Sequence, residues 1–126
     1  MKRILVIEDD DLLRGLLKAA LRREGFQVFV AGNGAEGIKL YDQISFDLVI
    51  TDILMPDQEG LQTIRELLHK NPDAIIVAMS GGGKQVGVDV LEIAQRFGAT
   101  ATVQKPFEVP EMLRLIKKLL ERTAST

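Results

Sequence analysis

Apolar residues along this chain follow two rhythms that alternate from one end to the other. Short runs rich in branched residues, Ile4 to Ile7, Phe26 to Ala31, Phe46 to Thr51, Ala74 to Met79 and Thr100 to Gln104, have the length and composition of buried strands. Between them, apolar residues recur every three or four positions: Leu12, Leu13, Leu16, Leu17 and Leu21; Ala35, Ile38, Tyr41 and Ile44; Leu61, Ile64, Leu67 and Leu68; and Val109, Met112, Leu113, Ile116, Leu119 and Leu120. That spacing predicts helices, and a further helix is expected over about Val86 to Phe97. Asp10 or Asp11 and Asn33 are N-cap candidates, Gly25 and Gly98 are stops, and Asn71-Pro72-Asp73 is a breaker. Gly34 and Gly37 weaken the second helix. Five strands alternating with five helices through short connections predict a doubly wound α/β fold around a five-stranded parallel sheet. Residues 1–122 are expected to form one domain and residues 123–126 a frayed tail.

The ends of the runs are where chemistry enters. Ile4 to Ile7 runs into Glu8 and Asp9, the third run into Asp52, the fourth into Ser80 and three glycines, and the fifth into Lys105-Pro106. Ligands of open α/β sheets bind at the carboxyl ends of the strands. Parallel neighbours would therefore gather three carboxylates, a hydroxyl and an ammonium at one edge. Each acid also has a plainer role. Acids at a helix start cap free N–H groups and complement the dipole, which accounts for Asp10 and Asp11, and an aspartate before Met55-Pro56 suits a turn. Glu8 and Asp9 abut the strand directly, and the plainer role explains them less well.

Composition narrows the partners. A net charge of −2 lacks the basic footprint of nucleic-acid binding, so no nucleic acid is expected to be a partner. The absence of cysteine excludes disulfides and thiolate metal sites. Only four apolar residues follow Met1-Lys2-Arg3, too few for a signal peptide, and no stretch reaches membrane-spanning length, so the expected location is the cytoplasm, with no membrane partner. His69, beside Lys70 near a helix end, reads as a solvated cation.

Carboxylates crowded around one point either take up a proton or bind a divalent cation. Mg²⁺ suits an oxygen-only set, since it uses one or two carboxylates, waters and a phosphate oxygen. Lys105 would meet phosphoryl oxygens as a point charge, and Ser80 offers a hydroxyl. Aspartate can accept a phosphoryl group as an acyl phosphate, and Asp52, alone at its strand end, is the candidate acceptor.

Glu8-Asp9 after an apolar run, Asp52-Ile-Leu-Met-Pro56, Ser80-Gly81 and Lys105-Pro106-Phe107, in that order, resemble the receiver domain of two-component response regulators. The resemblance spans essentially the whole chain. It implies the flavodoxin-like strand order 2-1-3-4-5. It also implies phosphorylation of Asp52 by a histidine kinase or a histidine phosphotransfer protein. Mg²⁺ would be held by Glu8, Asp9, Asp52 and the backbone carbonyl of Leu54, Ser80 and Lys105 would bind phosphoryl oxygens, and the Lys105-Pro106 bond would be cis. Such a domain signals through phosphorylation-dependent binding of a downstream protein or by relaying phosphate. No output domain is expected after the fifth helix, unless the chain is a fragment of a larger regulator.

Two features depart from the family pattern. Receivers usually place an aromatic residue three positions before the lysine, where this chain has Thr102. The stretch from Ser80 to Gly98 is also longer than usual and opens with Gly81-Gly82-Gly83, a run that is costly to order. That glycine loop is the expected replacement for the aromatic switch, ordering on phosphorylation. A competing reading is a small Mg²⁺-dependent phosphohydrolase, which commonly places a second acid two positions after its nucleophile. Leu54 stands there and weighs against turnover, leaving self-catalysed phosphoryl acceptance and slow dephosphorylation. A flavodoxin-like binding module would have to bring its phosphate to Glu8 through Asp11, where repulsion opposes an anion.

Overall fold

A computed structural model describes residues 1–53, 59–81, 84–85 and 88–124. The main sheet has five parallel strands: β1 (Arg3–Ile7), β2 (Gln27–Ala31), β3 (Leu48–Asp52), β4 (Ile76–Ser80) and β7 (Ala101–Gln104), in the order β2-β1-β3-β4-β7. Counting these five alone, the order is the expected 2-1-3-4-5. Helices α1 (Asp11–Arg23), α2 (Gly34–Gln43), α3 (Glu59–Lys70), α4 (Val90–Arg96) and α5 (Val109–Ala124) cover its two faces. Ser125 and Thr126, the end of the expected tail, lie outside the described residues.

The alternation of side chains along each strand divides the core in two. Ile4 and Val6 of β1 pack with Leu17 and Leu21 of α1 and Met112, Ile116 and Leu120 of α5. Leu5 and Ile7 pack on the other face with Ile64 and Leu67 of α3 and Ala94 of α4. Because β1, β3 and β4 are covered on both sides, their residues from Ile4, Leu48 and Ile76 onward are buried without interruption, which is why they read as runs and not as alternation. Full burial of each leucine or isoleucine contributes about 1.5–3 kcal/mol, so this double-sided core holds the strand ends in fixed register.

Local signals set the element ends. Asp10 caps α1 by accepting from the N–H groups of Leu12 and Leu13, and Gly25, at a φ of 94°, follows its last turn. Asn33 caps α2 by accepting from the Glu36 N–H. Gly37, which weakens α2 by propensity, has a packing reason: a Cβ there would lie 2.4 Å from Ile7 Cδ1.

Three expectations need correction. β3 and β4 each begin two residues later than their apolar runs, at Leu48 and Ile76, and end one later, so Asp52 and Ser80 are the last strand residues. Phe46 is instead a packing residue beneath the strand, in ring contact with Phe29 and Tyr41. The helix expected from Val86 begins only at Val90, and Lys84–Gln85 (β5) pairs antiparallel with Val88–Asp89 (β6). Val88, inside the expected helix, is a strand residue of β6, in keeping with the preference of a β-branched side chain for extended backbone.

Candidate functional site

The parallel register brings the ends of β1, β3, β4 and β7 to one edge. Ile7 is opposite Thr51 in β3, Asp52 is opposite Met79 in β4, and Ser80 is opposite Gln104 in β7. Backbone bonds carry the ladder one residue further: the N–H of Glu8 donates to Ala31 O at 3.0 Å, that of Ile53 to Met79 O at 2.9 Å, and that of Lys105 to Ser80 O at 2.7 Å. Glu8, Asp52, Ser80 and Lys105 are thus each the last residue of a strand or the next one on, and Asp9 is one residue further.

Lys105 is the hub. Its ammonium donates to Glu8 Oε1 at 2.7 Å and to Asp52 Oδ2 at 2.8 Å, with Glu8 and Asp52 buried. The second Glu8 oxygen, Oε2, accepts from the Asp10 N–H at 3.1 Å. One ligand oxygen each of Glu8, Asp9 and Asp52 lie within 4.8 Å of one another. Asp9 is exposed, so the cluster opens to solvent on that side. Ser80 is buried at the end of β4. The Lys105-Pro106 bond is cis.

Electrostatics follow from this crowding. Burial raises the Glu8 pKa from 4.5 to about 7; hydrogen bonds from Lys105 and Asp10 oppose the rise, and the Asp52 charge adds to it. Burial of the Lys105 ammonium works against its charge, but the hydrogen bonds and charges of Asp52 and Glu8 outweigh that and raise its pKa above 10.5. Three carboxylates crowded beside the Lys105 ammonium repel one another. An oxygen-only donor set of this kind, with no imidazole or thiolate, fits a hard divalent cation.

Two residues that periodicity gives no reason to notice also shape the site. Gly60, in the first turn of α3, is packed so closely that a Cβ would lie 2.4 Å from Ile53 Cα and 2.5 Å from Asp52 O. Arg14 of α1 donates through Nη1 to Glu8 O at 2.8 Å and through Nη2 to the Asp11 carboxylate. Its i, i+3 spacing from Asp11 was the available signal. Thr102 is a half-buried β7 residue opposite Ala78. Gly81 is described and exposed, whereas Leu54, Gly82 and Gly83 lie outside the described residues.

Comparison with known proteins adds an independent line. A family model for the response regulator receiver domain matches residues 4–117. The transcriptional regulatory protein CpxR of Klebsiella pneumoniae is 35% identical over 123 residues, covering 98% of this chain and 51% of CpxR. The chain spans about half the length of the curated relatives it matches. Among solved structures, a response regulator receiver domain protein from Clostridium thermocellum superposes with a TM-score of 0.88 at 27% identity, covering 98% of each chain. The response regulator TrrA from Thermotoga maritima, in complex with Mg²⁺-BeF, superposes at 0.82 with 35% identity, covering 94% of this chain and 99% of that one.

Proposed function

The chain belongs to the response regulator receiver domain family, and from that premise we propose that it is a phosphoacceptor switch whose acceptor is Asp52. Its fold is that of signalling regulators and not of a conventional enzyme. The observation that carries the proposal is the Lys105 ammonium bridging Asp52 and Glu8, with the Asp9 carboxylate alongside.

An Asp52 carboxylate oxygen forms a bond to phosphorus as the phosphorus–nitrogen bond of a phosphohistidine breaks. The imidazole nitrogen leaves with that electron pair and takes a proton. Lys105 then trades part of its pairing with the carboxylates for a phosphoryl oxygen, and the Ser80 hydroxyl binds another. Glu8, Asp9 and Asp52 would hold Mg²⁺, with the Leu54 carbonyl as a further expected ligand, and the ion supplies positive charge to offset that of the phosphoryl oxygens. The Mg²⁺-BeF complex of TrrA supports this choice of metal. Dephosphorylation is slow, because no carboxylate follows Asp52 at the second position to assist turnover.

The phosphodonor is a histidine kinase or histidine phosphotransfer protein. Leu12 and Leu16 are exposed on α1, and Leu16 borders a cleft of about 340 Å³ that it shares with Leu13, Lys105, Pro106 and Phe107 beside the site. An apolar face next to the acceptor suits the helix that presents the phosphohistidine. A downstream protein would read the phosphorylated state. Among the described residues no helix is long and apolar enough to cross a membrane, and the domain fits a cytoplasmic location. A net charge of −2 gives this domain no net electrostatic attraction to DNA phosphates. The transcriptional role in the name of CpxR belongs to a protein about twice as long.

The test is to incubate wild type and Asp52→Asn with acetyl phosphate and Mg²⁺ and follow intact mass. One phosphoryl adduct is expected on wild type and none on the variant. An adduct on both, or on neither, would reject the assignment.

A further inference from the structure

We propose that Arg14 is a positioning residue that holds the loop between β1 and α1 in the shape in which Glu8 and Asp9 face Asp52. The inference rests on the reading of these three acids as a metal site. Four consecutive acids, Glu8 to Asp11, follow the end of β1. Their mutual repulsion favours splaying the loop, so something must close it. Asp10 contributes by capping α1 and donating its N–H to Glu8 Oε2. Arg14 supplies the second closure.

Its planar guanidinium spans two acceptors at once, Glu8 O at 2.8 Å and the Asp11 carboxylate. Glu8 is the first residue beyond β1, and a carbonyl past the end of a strand needs a donor from elsewhere. The Arg14 side chain is only 23% exposed, against 90% for Asp11. A Cβ on Gly32 would lie 3.6 Å from Arg14 Nη1 and 3.7 Å from Glu36 Oε2, so the guanidinium is packed against the turn that follows β2 as well. Glu36 in turn accepts from the Gly32 N–H at 3.1 Å. The arginine therefore ties the start of the acidic loop to its end, beside a second loop that is itself held.

The sign of one measurement separates this role from a simple charge effect. A fixed cation near a metal site repels the metal, so removing its charge alone would tighten Mg²⁺ binding. Loss of positioning weakens it. Mg²⁺ binding is measured by isothermal titration calorimetry on the full chain without a phosphodonor, for wild type, Arg14→Met and Arg14→Lys, with urea unfolding in EDTA to establish that each is native. Arg14→Met is expected to bind Mg²⁺ roughly tenfold more weakly. Arg14→Lys keeps the charge, cannot fork, and is expected to fall between the two. Equal or tighter binding by folded Arg14→Met would overturn the proposal while leaving the metal site intact. If Arg14→Met does not fold, wild-type affinity in Arg14→Lys overturns it. Failure of wild type itself to bind Mg²⁺ would remove both this inference and the site reading beneath it.

Discussion

The Lys105 ammonium lies 2.8 Å from Asp52 Oδ2 across 53 residues of chain, and 2.7 Å from Glu8 Oε1 across 97. Both carboxylates are buried, so the lysine is the charge that allows them to share one place. Removing it takes the bridging cation away from two buried acids. Lys105→Met is therefore expected to lose about 2 kcal/mol of stability in EDTA. Proton uptake by Glu8 limits the loss, and Mg²⁺ should restore part of it. Urea unfolding with and without Mg²⁺ reads both effects; equal midpoints for variant and wild type in EDTA would show that the bridge is energetically idle.

The raised Glu8 pKa has a definite consequence for pH. Between 4.5 and about 7 the native state keeps a proton on Glu8 that the unfolded chain has released. The native state thus binds more protons there, and unfolding free energy falls as pH rises. The contribution of this one group is on the order of 3 kcal/mol at most. Other carboxylates titrate over part of the same range, so the comparison is with Glu8→Gln. In EDTA, the stability of wild type relative to that variant should decline from pH 5 to pH 7.5, and a flat difference would contradict the assignment.

The contrast between two glycines supplies a packing test. A Cβ on Gly37 would meet Ile7 Cδ1, the movable end of a side chain, whereas a Cβ on Gly60 would meet the backbone of Ile53 and Asp52. Side chains can rotate away, while a strand end held in its ladder cannot. Gly60→Ala is expected to cost about 2 kcal/mol or more, and Gly37→Ala less. Because the collision is at Asp52, Gly60→Ala should also slow phosphorylation by acetyl phosphate, which Gly37→Ala should leave near wild type. Equal effects of the two substitutions on rate would break the link between α3 packing and the acceptor.

What could be read before the structure was the part governed by local pattern. Glu8, Asp9, Asp52, Ser80 and Lys105 each follow an apolar run, and a parallel sheet converts that common position into proximity. Strand starts were harder: Phe46 and Ala74 extend the apolar runs chemically, but they pack beneath the sheet instead of joining it. α4 starts later than expected because Val88 and Asp89 are strand residues of β6, where a β-branched side chain favours extended backbone. Gly60 and Arg14 stand outside the apolar pattern for a different reason. Their importance comes from backbone oxygens that apolar spacing does not report, Asp52 O in one case and Glu8 O in the other.

In the proposed switch, Thr102 would leave signalling to another element. It is half-buried opposite Ala78 and carries no ring to move inward, so the proposed phosphorylation signal would need a different element with two states. The segment after Ser80 is the nearest one, since Ser80 O is bonded to the Lys105 N–H and both residues would respond to the phosphoryl group. It leads through Gly81 to the antiparallel pairing of Lys84–Gln85 with Val88–Asp89. A two-residue ladder joins too few hydrogen bonds to be stable by itself, so its order should depend on what anchors its start. Amide exchange over residues 81–90, measured with and without Mg²⁺ and beryllium fluoride, is expected to slow several-fold on addition, while β2 on the far edge stays unchanged. Unaltered exchange in this segment would dismiss it as the switch and direct attention to α5 and the outer face of β7.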